Sequence, residues 1–258
     1  MTEEQGAPGV DETAAQTAVI TGGAKGFGAA ASRALHAAGY QLVIADLDGP
    51  AAEALAAELD GTGATVMAVT MDVAAPGAFD DLLERVVARW GGAEVLVNNA
   101  AVTQARPVLE IAPDEFNRIM AINAGSTFAG CQAFGRHFKD RGYGRIVNMA
   151  SLAGQNGGTA TGAHYAASKG AILTLTKVFA RDLAPFGITC NAISPGPMDT
   201  PMVHDIVGDR MEGFLANLPV GQLGAPDFVA SMVRMLCSPD AAFVTGACWD
   251  VNGGLYMR

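Results

Sequence analysis

Thr21-Gly22-Gly23-Ala24-Lys25-Gly26-Phe27-Gly28 joins a short apolar run, Thr17 to Thr21, to an amphipathic stretch, Phe27 to Ala38. Read as the turn between a strand and a helix, the segment has glycines where a tight bend and close backbone approach are needed. Its helix N-terminus can hold the negative charge of a pyrophosphate. Gly22, Gly26, Phe27 and Gly28, with Lys25 between them, are the first candidate cofactor-binding residues.

The pattern around this turn repeats. Apolar runs at Thr17 to Thr21, Gln41 to Ala45, Thr65 to Thr70, Glu94 to Asn98, Arg145 to Met149, Ile188 to Ser194 and Ala247 to Val251 read as strands. Between them, Phe27 to Ala38, Pro50 to Leu59, Pro76 to Trp90, Pro113 to Lys139, Ala163 to Ala184 and Pro226 to Leu236 read as helices. Prolines at 50, 76, 113 and 226 stand where a helix start has no use for their missing N–H. Strands alternating with helices predict an α/β fold, a doubly wound parallel seven-stranded sheet with helices on both faces. Residues 1–16 read as a flexible tail and 17–258 as one domain. The interval 197–219 is too long for an ordinary connection; its apolar Met198, Met202, Val203, Ile206, Met211, Phe214 and Leu215 predict a short helical lid.

Of the 258 residues, 16 are Lys or Arg and 26 are Asp or Glu, a formal net charge of −10, and half are hydrophobic. Such a chain folds around a large core and lacks the basic stripe that phosphate backbones require. No apolar run reaches the ~18 residues that span a bilayer, and the acidic N-terminus does not resemble a secretory signal. Cys131, Cys190, Cys237 and Cys248 have no metal-ligand spacing. They read as reduced thiols in a cytoplasmic protein without a metal.

Further residues at strand ends join the candidate site. Asp46 closes the second strand roughly 20 residues beyond Gly28, where a carboxylate accepts hydrogen bonds from an adenosine ribose. It would repel a 2′-phosphate, and neighbouring Leu47 offers no positive charge, so NAD is favoured over NADP. Lys25 argues the other way. The third strand ends in Asp72-Val73 and the fourth in Asn98-Asn99-Ala100, followed by Ala101.

Tyr165 and Lys169 stand four residues apart at a helix start, hence on one face. A neighbouring ammonium favours the ionised form of a phenol, whose ordinary pKa is about 10, and makes it a usable general acid/base. Ser151 arrives at the C-terminal end of the fifth strand, the sheet edge where ligands bind. Asn123, inside a long helical stretch, needs a partner for its amide or backbone.

Taken together, the glycine turn, Asp72, Asn98-Asn99-Ala100, Asn123, Ser151, Tyr165/Lys169, Ser194-Pro195-Gly196 and Thr200 resemble the short-chain dehydrogenase/reductase family from Thr17 almost to the last residue. The resemblance implies a Rossmann-like fold and hydride transfer between NAD(P) and a secondary alcohol or ketone. It implies that Tyr165 exchanges the proton, Ser151 binds the same oxygen, and Lys169 lowers the Tyr165 pKa and holds the nicotinamide ribose. Asn123 would anchor a water, Asp72 would contact the adenine and Thr200 the carboxamide, with Pro195, Gly196 and Met198 beside them. Two departures stand out: Ala101 replaces the family's usual Gly, and Ser151 to Tyr165 is one residue longer than usual. The extra residue is expected in the loop Gln155 to Gly162; Ser126 and Thr161 are the other serine-like candidates.

His164 is expected to be structural, its side chain pointing roughly 100° from Tyr165, whereas His204 either touches substrate or is an exposed lid residue. The lid favours a substrate with a hydrophobic part, while Gln155, Asn156, Thr159 and Thr161, read as near the mouth, admit sugar alcohols. Phe116, Ile119, Phe128, Phe134, Ile172, Leu175 and Phe179 make two helices apolar on more than one face. In the resembled family those helices form dimer contacts, so a homodimer or homotetramer is expected, the apolar C-terminus at the second contact. Two alternatives remain: a 3-oxoacyl-thioester reductase, which normally prefers NADPH, and a non-catalytic dinucleotide-binding regulator.

Overall fold

The computed structural model describes residues 15–158, 161–200, 203, 204 and 207–258. Most of the expected tail, together with Thr159, Met202 and Ile206, lies outside the described residues.

The strands are β1 Thr17–Thr21, β2 Gln41–Asp46, β3 Val66–Thr70, β4 Val95–Asn98, β5 Gly144–Met149, β6 Ile188–Pro195 and β7 Cys248–Val251. They form one sheet in the order β3-β2-β1-β4-β5-β6-β7, parallel at every pairing. The central strands are apolar without interruption, as with Leu42, Val43, Ile44 and Ala45. A strand buried on both faces has this composition. Alternate residues feed two cores. Ile20, Ile44, Val97 and Val147 meet Leu35 of α1 (Gly26–Ala37), Leu55 of α2 (Gly49–Leu59) and Val233 of α9 (Pro226–Cys237). Val19, Val43, Leu96 and Ile146 meet Leu82 of α3 (Ala78–Trp90), Phe134 of α5 (Ser126–Arg141) and Ala180 of α7 (Ala163–Leu183).

Three local features differ from the expectation. Pro76 does not open its helix: α3 begins at Ala78, after Gly77 turns left-handed at φ 78°. The stretch Pro113 to Lys139 is two helices, α4 Pro113–Met120 and α5, joined by a π-helical turn at Ala121–Gly125. Between β5 and α7, α6 (Ala153–Asn156) ends in Gly157 and Gly158, both with positive φ. The interval expected to be a lid contains, among its described residues, the short helix α8, Met211–Ala216, with Phe214 and Leu215 half-buried and Leu218 buried.

The chain order reverses between β1 and β4, whose connections leave in opposite directions across the sheet. The crevice at the C-terminal ends of these strands is where an open α/β sheet receives its ligand.

Candidate active site

A cleft of about 800 Å³ opens at that crevice. Gly22, Lys25, Gly26, Phe27, Asp46, Leu47, Asp72, Val73, Asn99, Ala100 and Ala101 line it, and so do Ser151, Tyr165, Lys169, Pro195, Gly196, Met198 and Thr200. Gly28 and Asn123 stand behind the wall.

The glycine turn is sterically enforced. A side-chain carbon on Gly28 would lie 1.9 Å from the Gly22 carbonyl oxygen, and Gly26 has φ +53° with open space where its Cβ would project. No side chain caps the N-terminus of α1, so its first N–H groups remain available to an anion. Asn99 fastens the turn to β4: its amide donates to the carbonyls of Thr21 (3.1 Å) and Gly22 (2.8 Å). The Thr21 hydroxyl accepts from the N–H of Asn99 (3.1 Å) and Ala100 (3.2 Å) in return. Ala101 lies exposed on the cleft wall, and among the described residues no residue other than glycine has positive φ, so its backbone is unstrained.

Asp46 accepts the Ala24 N–H at 3.0 Å through one oxygen and the Asp48 N–H at 3.0 Å through the other. A carboxylate offers about four acceptor sites, which leaves capacity for a ligand. Lys25 pairs with Asp48 at 2.5 Å. That hydrogen bond holds the ammonium above, and the carboxyl below, their ordinary ranges. Asp48, absent from the sequence reading, thus takes up the one cation of the turn.

Beyond the glycine turn lie the protic groups. Lys169 is buried and donates to the Met149 carbonyl at 2.6 Å. Burial pushes its ammonium down to about 8. Its Nζ lies 5.6 Å from the centre of the Tyr165 ring. Burial raises the Tyr165 phenol above its ordinary range, and the Ser151 hydroxyl acts in the opposite, weaker sense.

Asn123 is fully buried in the π turn. Its amide exchanges two 2.9 Å hydrogen bonds with Val102 and donates to Ser168 at 3.0 Å. The Thr127 hydroxyl donates to its carbonyl at 2.8 Å. Both demands placed on an asparagine inside a helix are thereby met, and single π turns are frequent at functional sites.

Of the other serine-like candidates, Ser126 turns to the Ile122 carbonyl at 2.5 Å and Thr161 lies off the cleft, its hydroxyl buried without a partner. Gln155 is not at the mouth: it donates to Asp250 at 2.6 Å, beside β7. Asn156 is likewise absent from the cleft lining. His204 pairs with Asp199 at 2.6 Å and remains exposed. Val203, one of the apolar residues of the 197–219 interval, lines the cleft as well, as do Val102, Thr103 and Ile122; nothing in the residue types of the last three marks them, since only the fold carries them there.

The chain resembles known proteins over nearly its whole length. The family model described as enoyl-(acyl carrier protein) reductase matches residues 22–256. The 4-formylbenzenesulfonate dehydrogenase TsaC1/TsaC2 of Comamonas testosteroni is 38% identical over 245 residues, which covers 93% of this chain and 97% of the relative. The 3-oxoacyl-[acyl-carrier-protein] reductase FabG of Escherichia coli is 34% identical, with coverages of 93% and 97%. Acetoacetyl-CoA reductase of Rhizobium meliloti is 37% identical, with coverages of 94% and 99%. A crystal structure from Brucella melitensis described as short-chain dehydrogenase/reductase SDR:Glucose/ribitol dehydrogenase superposes with a TM-score of 0.87 at 34% identity, covering 94% of this chain and 97% of that one. Sheet order, cleft position and full-length kinship agree: the chain belongs to the short-chain dehydrogenase/reductase family and is an NAD(P)-dependent oxidoreductase of hydroxyl and keto groups.

Proposed function

We propose that the enzyme interconverts a secondary alcohol bearing an apolar substituent and its ketone, with NAD(H) as cofactor. The observation that carries this reading is the convergence of Ser151, Tyr165 and Lys169 on the same cleft as the uncapped glycine turn.

When bound, the nicotinamide supplies or accepts the hydride. The remaining work falls to the chain. The uncapped α1 terminus and the open face at Gly26 suit a pyrophosphate. Asp46 suits a ribose diol, and Lys169, at the other end of the cleft, suits the second ribose. Ser151 donates a hydrogen bond to the substrate oxygen, and Tyr165 delivers its proton to that oxygen on reduction or removes one on oxidation. Asn123, bonded to Val102 and Ser168, would anchor a water of the proton relay. Asp72 and Val73 would hold the adenine, and Thr200 the carboxamide.

Asp46 and Asp48 support the choice of NAD. A 2′-phosphate would meet two carboxylates there, and the single lysine is already paired. The apolar Val102, Ile122, Met198 and Val203 support a hydrophobic substituent on the substrate. The same reading has 17–258 acting as one catalytic unit in the cytoplasm, with 197–219 as its lid. A homodimer or homotetramer draws support from Phe116 and Phe128, which stay exposed on α4 and α5.

A second reading, reduction of a 3-oxoacyl thioester, is favoured by the relatives that carry that name. The net charge of −10 weighs against an acidic carrier protein. A panel of secondary alcohols with NAD or NADP, and of ketones and acetoacetyl-CoA with NADH or NADPH, separates the two. Highest kcat/KM on an aryl or cyclic alcohol or ketone with NAD(H) is expected; highest kcat/KM on acetoacetyl-CoA with NADPH would replace the first reading by the second.

A further inference from the structure

His164 is fully buried, yet it does not line the cleft. Its Nδ1 accepts the backbone N–H of Tyr165 at 2.8 Å, a donor shared with the Gly162 carbonyl at 3.1 Å. An accepting Nδ1 carries no proton, so the proton of the neutral ring is on Nε2. Nε2 donates to Glu115 Oε1 at 3.1 Å. Glu115 also accepts from Arg106 Nε, 2.9 Å from its second oxygen. These bonds, that of His164 foremost, hold the Glu115 carboxyl below the usual range.

Gly162 makes room for this ring: a Cβ there would stand 2.2 Å from His164 Cε1. Its N–H donates to the Gln104 carbonyl at 3.2 Å. Residues 102–106 are therefore fastened three times, at Val102 by Asn123, at Gln104 by Gly162, and at Arg106 through Glu115 and His164. Val102 and Thr103 of that segment line the cleft.

We propose that His164 is a positioning residue: braced by Glu115 and Arg106, it fixes the first turn of α7, and with it the phenol of Tyr165, at a set distance from the 102–106 wall of the substrate cleft. The inference rests on the reading of Tyr165 as the proton carrier. A cap alone needs only a Ser or Asp at the helix start. Here the acceptor is a ring whose far nitrogen is tied to α4, so the contact sets the spacing of two elements as well as satisfying a donor. A shift of about 1 Å between proton donor and substrate costs on the order of 100-fold in rate.

The test compares His164→Leu, His164→Asn, Glu115→Gln and Tyr165→Phe with wild type by steady-state kinetics on the best ketone with NADH, by fluorescence titration of NADH and by thermal melting. His164→Leu is expected to lower kcat about 10- to 100-fold with NADH affinity unchanged. His164→Asn keeps an acceptor for the Tyr165 N–H and is expected to recover most of that loss. Glu115→Gln is expected to lower kcat less than His164→Leu, and to add little to it in the double variant. Wild-type kcat in His164→Leu would overturn the proposal, as would equal losses in kcat and NADH affinity. If His164→Leu does not fold, Glu115→Gln decides, and wild-type kcat in that variant overturns it. Turnover retained by Tyr165→Phe would remove the underlying reading; an inactive Tyr165→Phe beside fully active His164 variants removes the positioning role alone.

Discussion

Lys169 directs its ammonium at the carbonyl oxygen of Met149, 2.6 Å away. A buried cation held this way costs folding free energy. Its folded pKa of about 8 is below the ordinary 10.5, so between those values the unfolded chain holds a proton that the folded chain has released. Stability therefore rises with pH across that window, and below about 8 the full cost, roughly 3 kcal/mol at 1.4 kcal/mol per unit, applies. Lys169→Met is expected to abolish turnover and raise Tm at pH 7, with the gain disappearing near pH 10.5. Thermal melts at pH 7 and pH 10 check it.

If Tyr165 carries the proton as proposed, its raised phenol would give the two reaction directions opposite pH dependences. Reduction requires the protonated form, which persists through neutrality; oxidation requires the ionised form. Initial rates of ketone reduction are expected to be level from pH 6 to 8 and to fall in alkali, whereas alcohol oxidation climbs with pH over the same range. Parallel profiles measured from both sides test this.

On the proposed preference for NAD, cofactor choice would depend on the acidic pair at the glycine turn. Asp46→Ser removes the carboxylate nearest the ribose while retaining an acceptor for the Ala24 N–H. It is expected to narrow the NAD:NADP ratio of kcat/KM by about tenfold or more, equivalent to about 1.4 kcal/mol of relieved repulsion. Asp48→Ala frees Lys25 and is expected to raise activity with NADP specifically.

Gly28→Ala would place a methyl within 1.9 Å of the Gly22 oxygen. Backbone has to move to accept it, and the turn that approaches the pyrophosphate moves with it. NADH binding followed by fluorescence is expected to weaken by more than tenfold, with the sheet intact by circular dichroism.

Phe128 is 44% exposed and its ring lies 5.8 Å from Phe179 of α7. If these helices meet a second copy, Phe128→Glu inserts a charge into an apolar contact. Multi-angle light scattering is expected to report a dimer or tetramer for wild type and a smaller species for the variant.

The strands were legible because continuous apolar runs such as Gln41 to Asp46 have few other uses, and the glycine turn because its bend admits so few side chains. What escaped reading depends on register or on distant pairing. The π turn at Asn123 differs from an α-helix in which carbonyl each N–H meets, and composition does not encode that. Asp48 meets Lys25 only after β2 lies beside β1. Gln155 read as a polar group near the mouth because nothing in its neighbours reveals Asp250 on β7. Proximity of Tyr165 and Lys169 in sequence is clear, but the Met149 carbonyl that accepts from the ammonium belongs to β5, distant in sequence.

The stitching by Asn99 and Thr21 has a consequence for how such an enzyme changes its diet. Four hydrogen bonds clamp the floor of the crevice between β1 and β4, so the half that grips the dinucleotide cannot be widened without unfastening two strands. Val102, Met198 and Val203, which line the same cleft, are by contrast supplied by connecting segments. Substitutions in those segments would reshape the cleft without touching the four bonds that join β1 to β4.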